Sequence, residues 1–283
     1  MSFSLGDLVV IEDHKRRRSL VTLTAEAKIN THVGAVAVGD IIGQDSGSLV
    51  LTSTDRRVFV LEPTFEDFVF HMPRGAQVIY PKDIGAIMMR LNLRSGDRVL
   101  ESGVGSGAMS IAMLKAGVSV VGVEAREDFM NLARKNVASF LGEQYLGRYT
   151  VQLGDAYDRV PDGPFDAVML DLPEPWRALK VVRKVVRPGG VLAVYVTNVT
   201  QLQRVVAELG DADFGYADAI ELLEREWYLK GLIARPHHRM VGHTGFILTA
   251  RPLQRRRGEI DEMGDGGIDE PSLELREDNP TDL

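Results

Sequence analysis

The chain has 283 residues, a formal net charge of −7 and no cysteine. Without cysteine the protein cannot form disulfides, zinc–thiolate sites or a cysteine nucleophile. No apolar run is long enough to cross a bilayer, and the N-terminus lacks the basic and apolar regions of a secretory signal. We therefore expect a cytoplasmic protein without a membrane partner.

The net charge is unevenly distributed along the chain. Residues 258–283 contain ten acidic residues and one basic residue, so this segment carries −9 and the preceding 257 residues carry +2. A segment with few large apolar side chains cannot bury enough surface to offset the entropy lost on ordering. We predict that residues 254–283 form an acidic, disordered tail. The mildly basic body is compatible with a nucleic-acid partner.

Residues 1–70 are predicted to form a small β domain. Four short segments rich in β-branched residues alternate with Gly, Asp and Ser turn residues: VVIED, SLVTLT, GSLVLTST and RRVFVLEP. The basic run at residues 15–18 falls in one of the turns. It is either the solvated tip of a hairpin or a contact to phosphates.

The pattern changes to alternating helices and strands over residues 71–253. Pro81 can open a helix, and the apolar positions that follow it share one face: Ile84, Ile87, Met88 and Leu91. Five strand-like runs then follow, separated by helices or turns: DRVLES, SVVGVE, YTVQL, FDAVML and VLAVYVTN.

The last part of this region continues the same pattern. The helix after the fourth strand is expected to reach Val186, where the sequence RPGG ends it, and another helix covers about 200–209. Two β-like segments near 219–224 and 244–250 follow. The alternation implies an α/β fold, with a mostly parallel sheet covered by helices on both faces.

The first strand of this series ends in a glycine-rich loop, Glu101-x-Gly103-x-Gly105-x-Gly107. Glycine permits tight turns and close approach of the backbone to a ligand. Dinucleotide-binding folds more often show GxGxxG, where a helix N-terminus receives a pyrophosphate. S-adenosylmethionine (SAM) has no pyrophosphate but carries an ammonium and a sulfonium, which a nearby carboxylate suits. The loop therefore favours SAM as the cofactor.

Two further loops are predicted at the same edge of the sheet. Glu124 ends the strand VVGVE, where a carboxylate can accept both ribose hydroxyls or can cap the next helix. Asp155 follows the third strand and can accept a hydrogen bond from an adenine amino group, or can belong to a simple turn. Ligands of open α/β sheets bind at the carboxyl ends of the strands. We therefore expect these acids to lie in one cofactor site.

Together these segments resemble the class I SAM-dependent methyltransferases. They resemble more closely the tRNA adenine-N1 methyltransferases of bacteria and archaea that modify position 58 of the T-loop. The resemblance covers residues 1–252 and rests on five segments: MPRGAQVIYPKD at 72–83, VLESGVGSGAMS at 99–110, MLDLPEPW at 169–176, YVTNVTQL at 195–202 and RPHHRMVGHTGFIL at 235–248. It implies a Rossmann-like, seven-stranded sheet at 71–253 behind the small β domain at 1–70.

The resemblance also implies the roles of individual residues. Asp171 is implied as the catalytic carboxylate, and Tyr80 as its catalytic neighbour in the pocket of the target base. The implied cofactor set comprises Gln77, Glu101, Gly103, Val104, Gly105, Ser106, Gly107, Glu124, Asp155 and Asp171. Family members are similar in forming tetramers, so we expect a homotetramer that acts on tRNA and needs no metal.

The reaction that the resemblance implies, methylation of adenine at N1, explains why a carboxylate is needed at Asp171. Neutral adenine is a weak nucleophile at N1, and a carboxylate that accepts a hydrogen bond from the exocyclic amine pushes electron density toward N1. The same carboxylate stabilises the positive charge that develops on the base. The target base lies inside folded tRNA and must be flipped out to reach the pocket, where Tyr80 can stack on it. Alternatively, Asp171 caps the helix that follows it.

Other interpretations stay open at this point. DLPEPW loosely resembles the loop of exocyclic-amine methyltransferases, although Leu172 and Glu174 interrupt that pattern. A protein-carboxyl methyltransferase shares the fold, and a non-catalytic tRNA-binding subunit shares the scaffold. His243 in GHTGF is expected to be a structural hydrogen-bonding residue. The candidate phosphate contacts are Arg74, Lys82, His237, His238 and Arg239.

Overall fold

The computed structural model describes residues 2–75 and 77–254. The tail predicted from residue 255 onward lies outside this range. Six short strands occupy the first sixty residues: β1 (Leu8–Asp13), β2 (Arg18–Thr22), β3 (Lys28–Thr31), β4 (Gly34–Ala37), β5 (Ser48–Leu51) and β6 (Arg57–Leu61). Four of them form an antiparallel sheet in the order β2-β1-β6-β5, and β3 pairs with β4 in a separate hairpin.

The four-stranded sheet corresponds to the four segments predicted from the sequence. Its alternate apolar residues, including Val9, Ile11, Val58 and Val60, bury one face in a core of their own. The β3–β4 hairpin was not predicted from the sequence. The division of the chain at residue 70 stays a prediction.

The turn between β1 and β2 carries the basic run. The Arg17 guanidinium lies 2.6 Å from the Asp13 carboxylate. The Arg18 guanidinium lies 2.7 Å from Asp67 on helix α1 (Phe65–His71). Arg17 closes the turn of the hairpin, and Arg18 holds the hairpin against α1, which supports the structural interpretation of the run for both of them.

Nine further strands follow among the described residues: β7 (Arg98–Ser102), β8 (Ser119–Glu124), β9 (Tyr149–Leu153), β10 (Phe165–Leu170), β11 (Val186–Val196), β12 (Phe214–Glu221), β13 (Trp227–Lys230), β14 (Ile233–Pro236) and β15 (Phe246–Pro252). Seven of them form one sheet in the order β12-β15-β11-β10-β7-β8-β9. β15 runs antiparallel to β11 and β12, and the central strands are parallel. The predicted seven-stranded α/β sheet is confirmed.

Strand order reverses at β7, because the chain continues to β8 on one side and later returns to β10 on the other. Such a switch point opens a crevice at the carboxyl ends of the strands. Five helices cover the sheet: α2 (Pro81–Arg90), α3 (Ala108–Lys115), α4 (Glu127–Leu141), α5 (Leu179–Arg183) and α6 (Val199–Leu209). Along β7, Val99 packs into the core beneath α2, α3 and α4, whereas Leu100 packs into the core beneath α5 and α6.

The helix predicted at Pro81 is confirmed. Proline occupies its first turn, and Ile84, Ile87 and Leu91 are buried. The predicted end of the next-to-last helix is wrong: α5 ends at Arg183, and β11 already begins at Val186. The sequence RPGG therefore lies within a strand.

A shift in the pairing of β10 with β11 accommodates those residues. Phe165 pairs with Val186, but Ala167 pairs with Val191, so the extra residues form a bulge at the start of β11. The β13–β14 hairpin was also missed by the sequence reasoning. Within the part of the chain that is described, no helix has the length and apolar character needed to span a membrane.

Candidate cofactor and substrate site

The glycine loop begins where β7 and β10 end side by side. Gly103 has a φ of +83°, and a Cβ atom there would lie 1.8 Å from the Asp171 carbonyl oxygen. The Asp171 N–H donates to the Ser102 carbonyl oxygen at 2.9 Å. No side chain fits at residue 103 while this contact exists. Gly103 therefore allows Asp171 to lie directly beside the loop.

The other two glycines of the loop have different surroundings. Gly107 caps α3 with a φ of +85°, and a Cβ atom there would lie 3.1 Å from Cβ of Ala133 on α4. Gly105 has no atom within 4 Å of its Cβ position, so it faces open space. Its N–H donates to Glu124 at 3.0 Å, which ties the loop to the end of β8.

Two adjoining cavities open at this edge of the sheet. The smaller cavity is lined by six predicted cofactor residues together with Asp171: Gln77, Glu101, Gly103, Val104, Gly105 and Ser106. The larger shares Asp171 with the first and adds Glu124 and Asp155. Of the predicted cofactor set, Gly107 alone lines neither cavity, and its place is structural.

Three carboxylates crowd the region where the cavities meet. The pKa of Glu101 is raised to about 8, mainly because the carboxyl group is buried. The hydrogen bond that the Ser110 hydroxyl donates to it lowers the pKa, whereas the negative charges of Asp171 and Glu124 raise it. Burial and then the charge of Glu124 raise the pKa of Asp171 to about 7. A cation bound between these groups would relieve their repulsion.

The residues present fit SAM. Among the described residues, the buried hydroxyls of Ser102 and Ser106 have no hydrogen-bond partner, and both residues line the cavities. A buried hydroxyl without a partner is costly, so a polar ligand is favoured at both oxygens. The crowded carboxylates suit the ammonium and sulfonium groups of this cofactor. Asp155 is exposed at the far end of the larger cavity, where it also accepts a bond from the Tyr157 N–H.

Tyr80 lies at the N-cap of α2 and does not line either cavity. Its ring meets Phe70 edge-on, with 6.0 Å between the ring centroids. The preceding residues Val78 and Ile79 line the smaller cavity. The role of Tyr80 at the target base therefore stays a prediction.

Sequence reasoning missed one wall of the larger cavity. This wall consists of Tyr195 and Thr197 at the end of β11 and Gln201 of α6. Glu124 and Asp155 follow β8 and β9, which lie on the other side of β7 in the sheet. Their signal was present, because β11 is a parallel strand next to β10 and must end at the same edge. Arg126 and Phe129 add a second unpredicted part of the lining, with the guanidinium 4.1 Å from the ring centroid.

A buried polar network joins the YPKD and GHTGF segments. The Lys82 ammonium donates to Asp83 at 2.7 Å, to the Thr244 hydroxyl at 2.7 Å and to the Leu222 carbonyl oxygen at 2.9 Å. The Thr244 hydroxyl donates to the other oxygen of Asp83 at 2.7 Å. Since Lys82 is nearly buried and makes three bonds, its predicted contact to phosphate is wrong.

The network lies directly behind the wall of the larger cavity. Burial, and then the charge of Asp83, raise the pKa of Tyr195. A side chain at Gly245, next to Thr244, would collide with the Tyr195 ring, 2.4 Å from its Cζ. The network and Gly245 therefore fix the position of Tyr195 in the cavity.

His243 makes two hydrogen bonds through its ring, as expected of a structural residue. Nδ1 contacts Glu221 at 2.5 Å, and Nε2 contacts the Thr197 carbonyl oxygen at 2.8 Å. The bond to Thr197 and then that to Glu221 raise the pKa of the imidazole. His237 stands edge-on to Tyr228 at 6.1 Å. Within residues 2–75 and 77–254, no group of three or more His, Cys, Asp or Glu side chains is arranged to hold a metal ion.

Comparison with known proteins gives matches over most of the chain. A family model described as tRNA methyltransferase complex GCD14 subunit matches residues 56–232, and a TrmI-like N-terminal model matches residues 2–50. The tRNA (adenine(58)-N(1))-methyltransferase TrmI of Thermus thermophilus is 31% identical over 247 residues, covering 86% of this chain and 96% of the relative.

Two solved structures share the fold over 90% of this chain. A SAM-dependent O-methyltransferase from Thermotoga maritima is 29% identical with a TM-score of 0.85, and 96% of that chain is covered. The tRNA (m1A58) methyltransferase TrmI from Aquifex aeolicus is 28% identical with a TM-score of 0.80, and all of it is covered. The chain is therefore an enzyme that uses SAM, and it belongs to the class I methyltransferase family of TrmI-type tRNA (adenine-58-N1)-methyltransferases.

Proposed function

We propose that this protein transfers the methyl group of SAM to N1 of the adenine at T-loop position 58 of tRNA. The observation that carries the proposal is the place of Asp171, which lines both adjoining cavities. A residue there can face the cofactor and the target base together. Within the described residues, no group hydrogen-bonds to the Asp171 carboxylate, which leaves it available to the exocyclic amine of adenine.

The cofactor residues hold SAM by charge and shape in this proposal. Glu101 and the hydroxyls of Ser102 and Ser106 receive its amino-acid part, Glu124 its ribose and Asp155 its adenine. Gly105 lets the backbone approach the ligand, and Gln77 covers it from the segment before α2. When bound, SAM supplies a methyl group that is already activated, so the protein has mainly to align the reacting atoms.

Asp171 then acts on the flipped base. Its carboxylate accepts a hydrogen bond from the exocyclic amine, which raises electron density at N1. Methyl transfer to N1 from SAM held by these residues would break its carbon–sulfur bond and move the positive charge from sulfur to the adenine ring. Asp171 faces that charge as it develops, which stabilises the transition state more than the ground state. Tyr80 positions the base, and the reaction takes place in the cytoplasm.

Nucleoside mass spectrometry on unmodified tRNA incubated with the protein and SAM tests this function. We expect 1-methyladenosine, which alkali converts to N6-methyladenosine, and no product from tRNA in which adenine 58 is replaced. Asp171→Ala and Asp171→Asn should abolish turnover and weaken SAM binding only modestly. Direct formation of N6-methyladenosine, or methylation of protein alone, would reject the assignment.

We also propose that four copies assemble. The β13–β14 hairpin exposes a cluster of large apolar side chains, among them Trp227, Leu229 and Leu232. Such a patch marks an interaction surface, and identical copies can bury it symmetrically. Light scattering should give the mass of a tetramer, and Leu229→Lys should shift it to smaller species; a wild-type monomer would reject the assembly.

A further inference from the structure

We propose that one face of the β13–β14 hairpin binds tRNA, with Lys230 and Arg235 on its phosphates and the ring of Tyr228 against a base. This inference rests on the proposed function, since it takes tRNA as the substrate. It assigns the opposite face of the same hairpin to contacts between copies. The hairpin therefore has two partners, one on each face.

The hairpin projects from the edge of the sheet that holds the site. β12 ends at Glu221, where it pairs with Phe246 at the start of β15, so residues 222–245 leave and rejoin the sheet there. Because β12 is parallel to the central strands, this is their carboxyl edge. The segment therefore leaves the sheet at the same edge at which the cavities open.

Both ends of the projecting segment are anchored beside the cavities. Lys82 donates to the Leu222 carbonyl oxygen, and Thr244 donates to Asp83. His243 bonds to the carbonyl oxygen of Thr197, which lines the larger cavity. The base of the hairpin is therefore fixed relative to the site.

Strand pairing gives the hairpin two different faces. Tyr228 pairs with Arg235 and Lys230 with Ile233 on one face, and the other face carries the pairs of Trp227 with Pro236 and Leu229 with Ala234. Side chains alternate between the faces of a strand, so the first face is mostly basic and aromatic and the second is wholly apolar. A single partner does not suit both surfaces.

The first face carries the positive charge and the aromatic surface that suit RNA. The Arg235 guanidinium lies 4.8 Å from the centroid of the Tyr228 ring, and the His237 ring stands edge-on to the same ring at 6.1 Å. Among the described residues, no carboxylate forms an ion pair with Lys230 or Arg235. Cationic side chains without an ion-pair partner can bind phosphates, and the release of counterions from the RNA then favours binding. The ring of Tyr228, which packs against Arg235, offers a surface on which a base can stack.

The test compares Arg235→Glu with Lys184→Glu. Both variants change the charge equally, but Lys184 is exposed between α5 and β11, at the amino edge of the sheet. Unmodified tRNA is titrated into the full-length protein at several salt concentrations, with fluorescence anisotropy as the readout. We expect Arg235→Glu to weaken binding roughly tenfold and to reduce the slope of log K against log salt by about 0.9, as for one lost phosphate contact. Lys184→Glu should match the parent.

A second pair of variants tests the aromatic part of the face. Tyr228→Phe keeps the ring and should bind tRNA like the parent, whereas Tyr228→Ala should bind more weakly. SAM affinity should be unchanged in all four variants, since the hairpin is not part of the cofactor site. Light scattering should show the parent assembly in each of them.

The outcomes separate this inference from the proposed function. If the parent methylates adenine 58 but Arg235→Glu binds tRNA as tightly as Lys184→Glu, the function stands and the RNA-binding face is rejected. If Arg235→Glu changes the mass of the assembly, the basic face belongs to a contact between copies, and the inference is also rejected. A parent that binds SAM but not tRNA overturns the function itself and this inference with it.

Discussion

Replacing Thr244 with valine removes a hydroxyl that bonds both to Lys82 and to Asp83. Asp83 is completely buried, and the bond from Thr244 serves one of its two carboxylate oxygens. Valine has nearly the same shape as threonine, so the substitution removes hydrogen bonds without opening a large cavity. Its effect is therefore the cost of leaving buried charged groups partly unpaired.

The magnitude follows from the two bonds. A hydrogen bond to a charged group contributes about 1.5–3 kcal/mol, and a buried acceptor left unpaired also loses its solvation. We expect Thr244→Val to lower the free energy of unfolding by about 3 kcal/mol, which corresponds to roughly 6–12 °C in Tm for a protein of this size. Thr244→Ser keeps the hydroxyl and loses one methyl group, at a cost of about 1 kcal/mol.

Thermal unfolding of both variants, followed by calorimetry, checks this expectation. Because Tyr195 lies against this network, Thr244→Val should also raise the KM for tRNA at a temperature where the variant is fully folded. SAM affinity should stay near that of the parent. Equal losses of Tm in the valine and serine variants would show that the hydroxyl does not hold the network.

Three further predictions concern the cofactor site. Gly103→Ala places a Cβ atom 1.8 Å from the Asp171 carbonyl oxygen, so calorimetric titration should show SAM binding weakened at least hundredfold; near-normal affinity would contradict the close contact. The pKa of Asp171 is raised to about 7 and the ionised form is active, so kcat/KM for SAM should fall about tenfold per pH unit below that value; a flat profile would exclude this role. The pKa of Glu101 is about 8 in the folded protein against an ordinary 4.5, so the ligand-free fold binds this proton more tightly than the unfolded chain. Its stabilising effect is present below pH 4.5 and is lost as the pH rises to about 8, and Glu101→Gln should remove that part of the pH dependence of Tm.

The central architecture could be predicted because its signals are local. Pro81 and the apolar spacing after it define α2, and alternating strands and helices define the parallel sheet. The glycine loop was identified for the same reason, since residues 101–107 are contiguous. Its partner Asp171 was placed beside it through the resemblance, and the structure gives the physical reason in the absence of a side chain at Gly103.

The features that sequence reasoning missed depend on distant residues. Lys82 is a residue type that often contacts phosphate at a surface. Its burial depends on two partners that lie 140 and 162 residues further along the chain, which the local sequence does not show. The strand at RPGG breaks local propensity rules, and only its pairing with β10 explains it. The hairpin strands β13 and β14 lack a hydrophobic face against the core. Their large apolar side chains are exposed in the single chain. The two strands were therefore not recognised from the sequence.

The three crowded carboxylates connect cofactor binding to the readiness of Asp171. In the ligand-free site, burial and the charge of Glu124 favour the protonated form of Asp171, which cannot accept the hydrogen bond that the reaction needs. A cationic cofactor beside Glu101 and Glu124 opposes both effects and lowers the pKa of Asp171. By linkage, SAM must then bind more tightly when Asp171 is ionised, so its affinity rises with pH through about 7. The same electrostatic arrangement that destabilises the empty site therefore prepares the carboxylate for catalysis once SAM has bound.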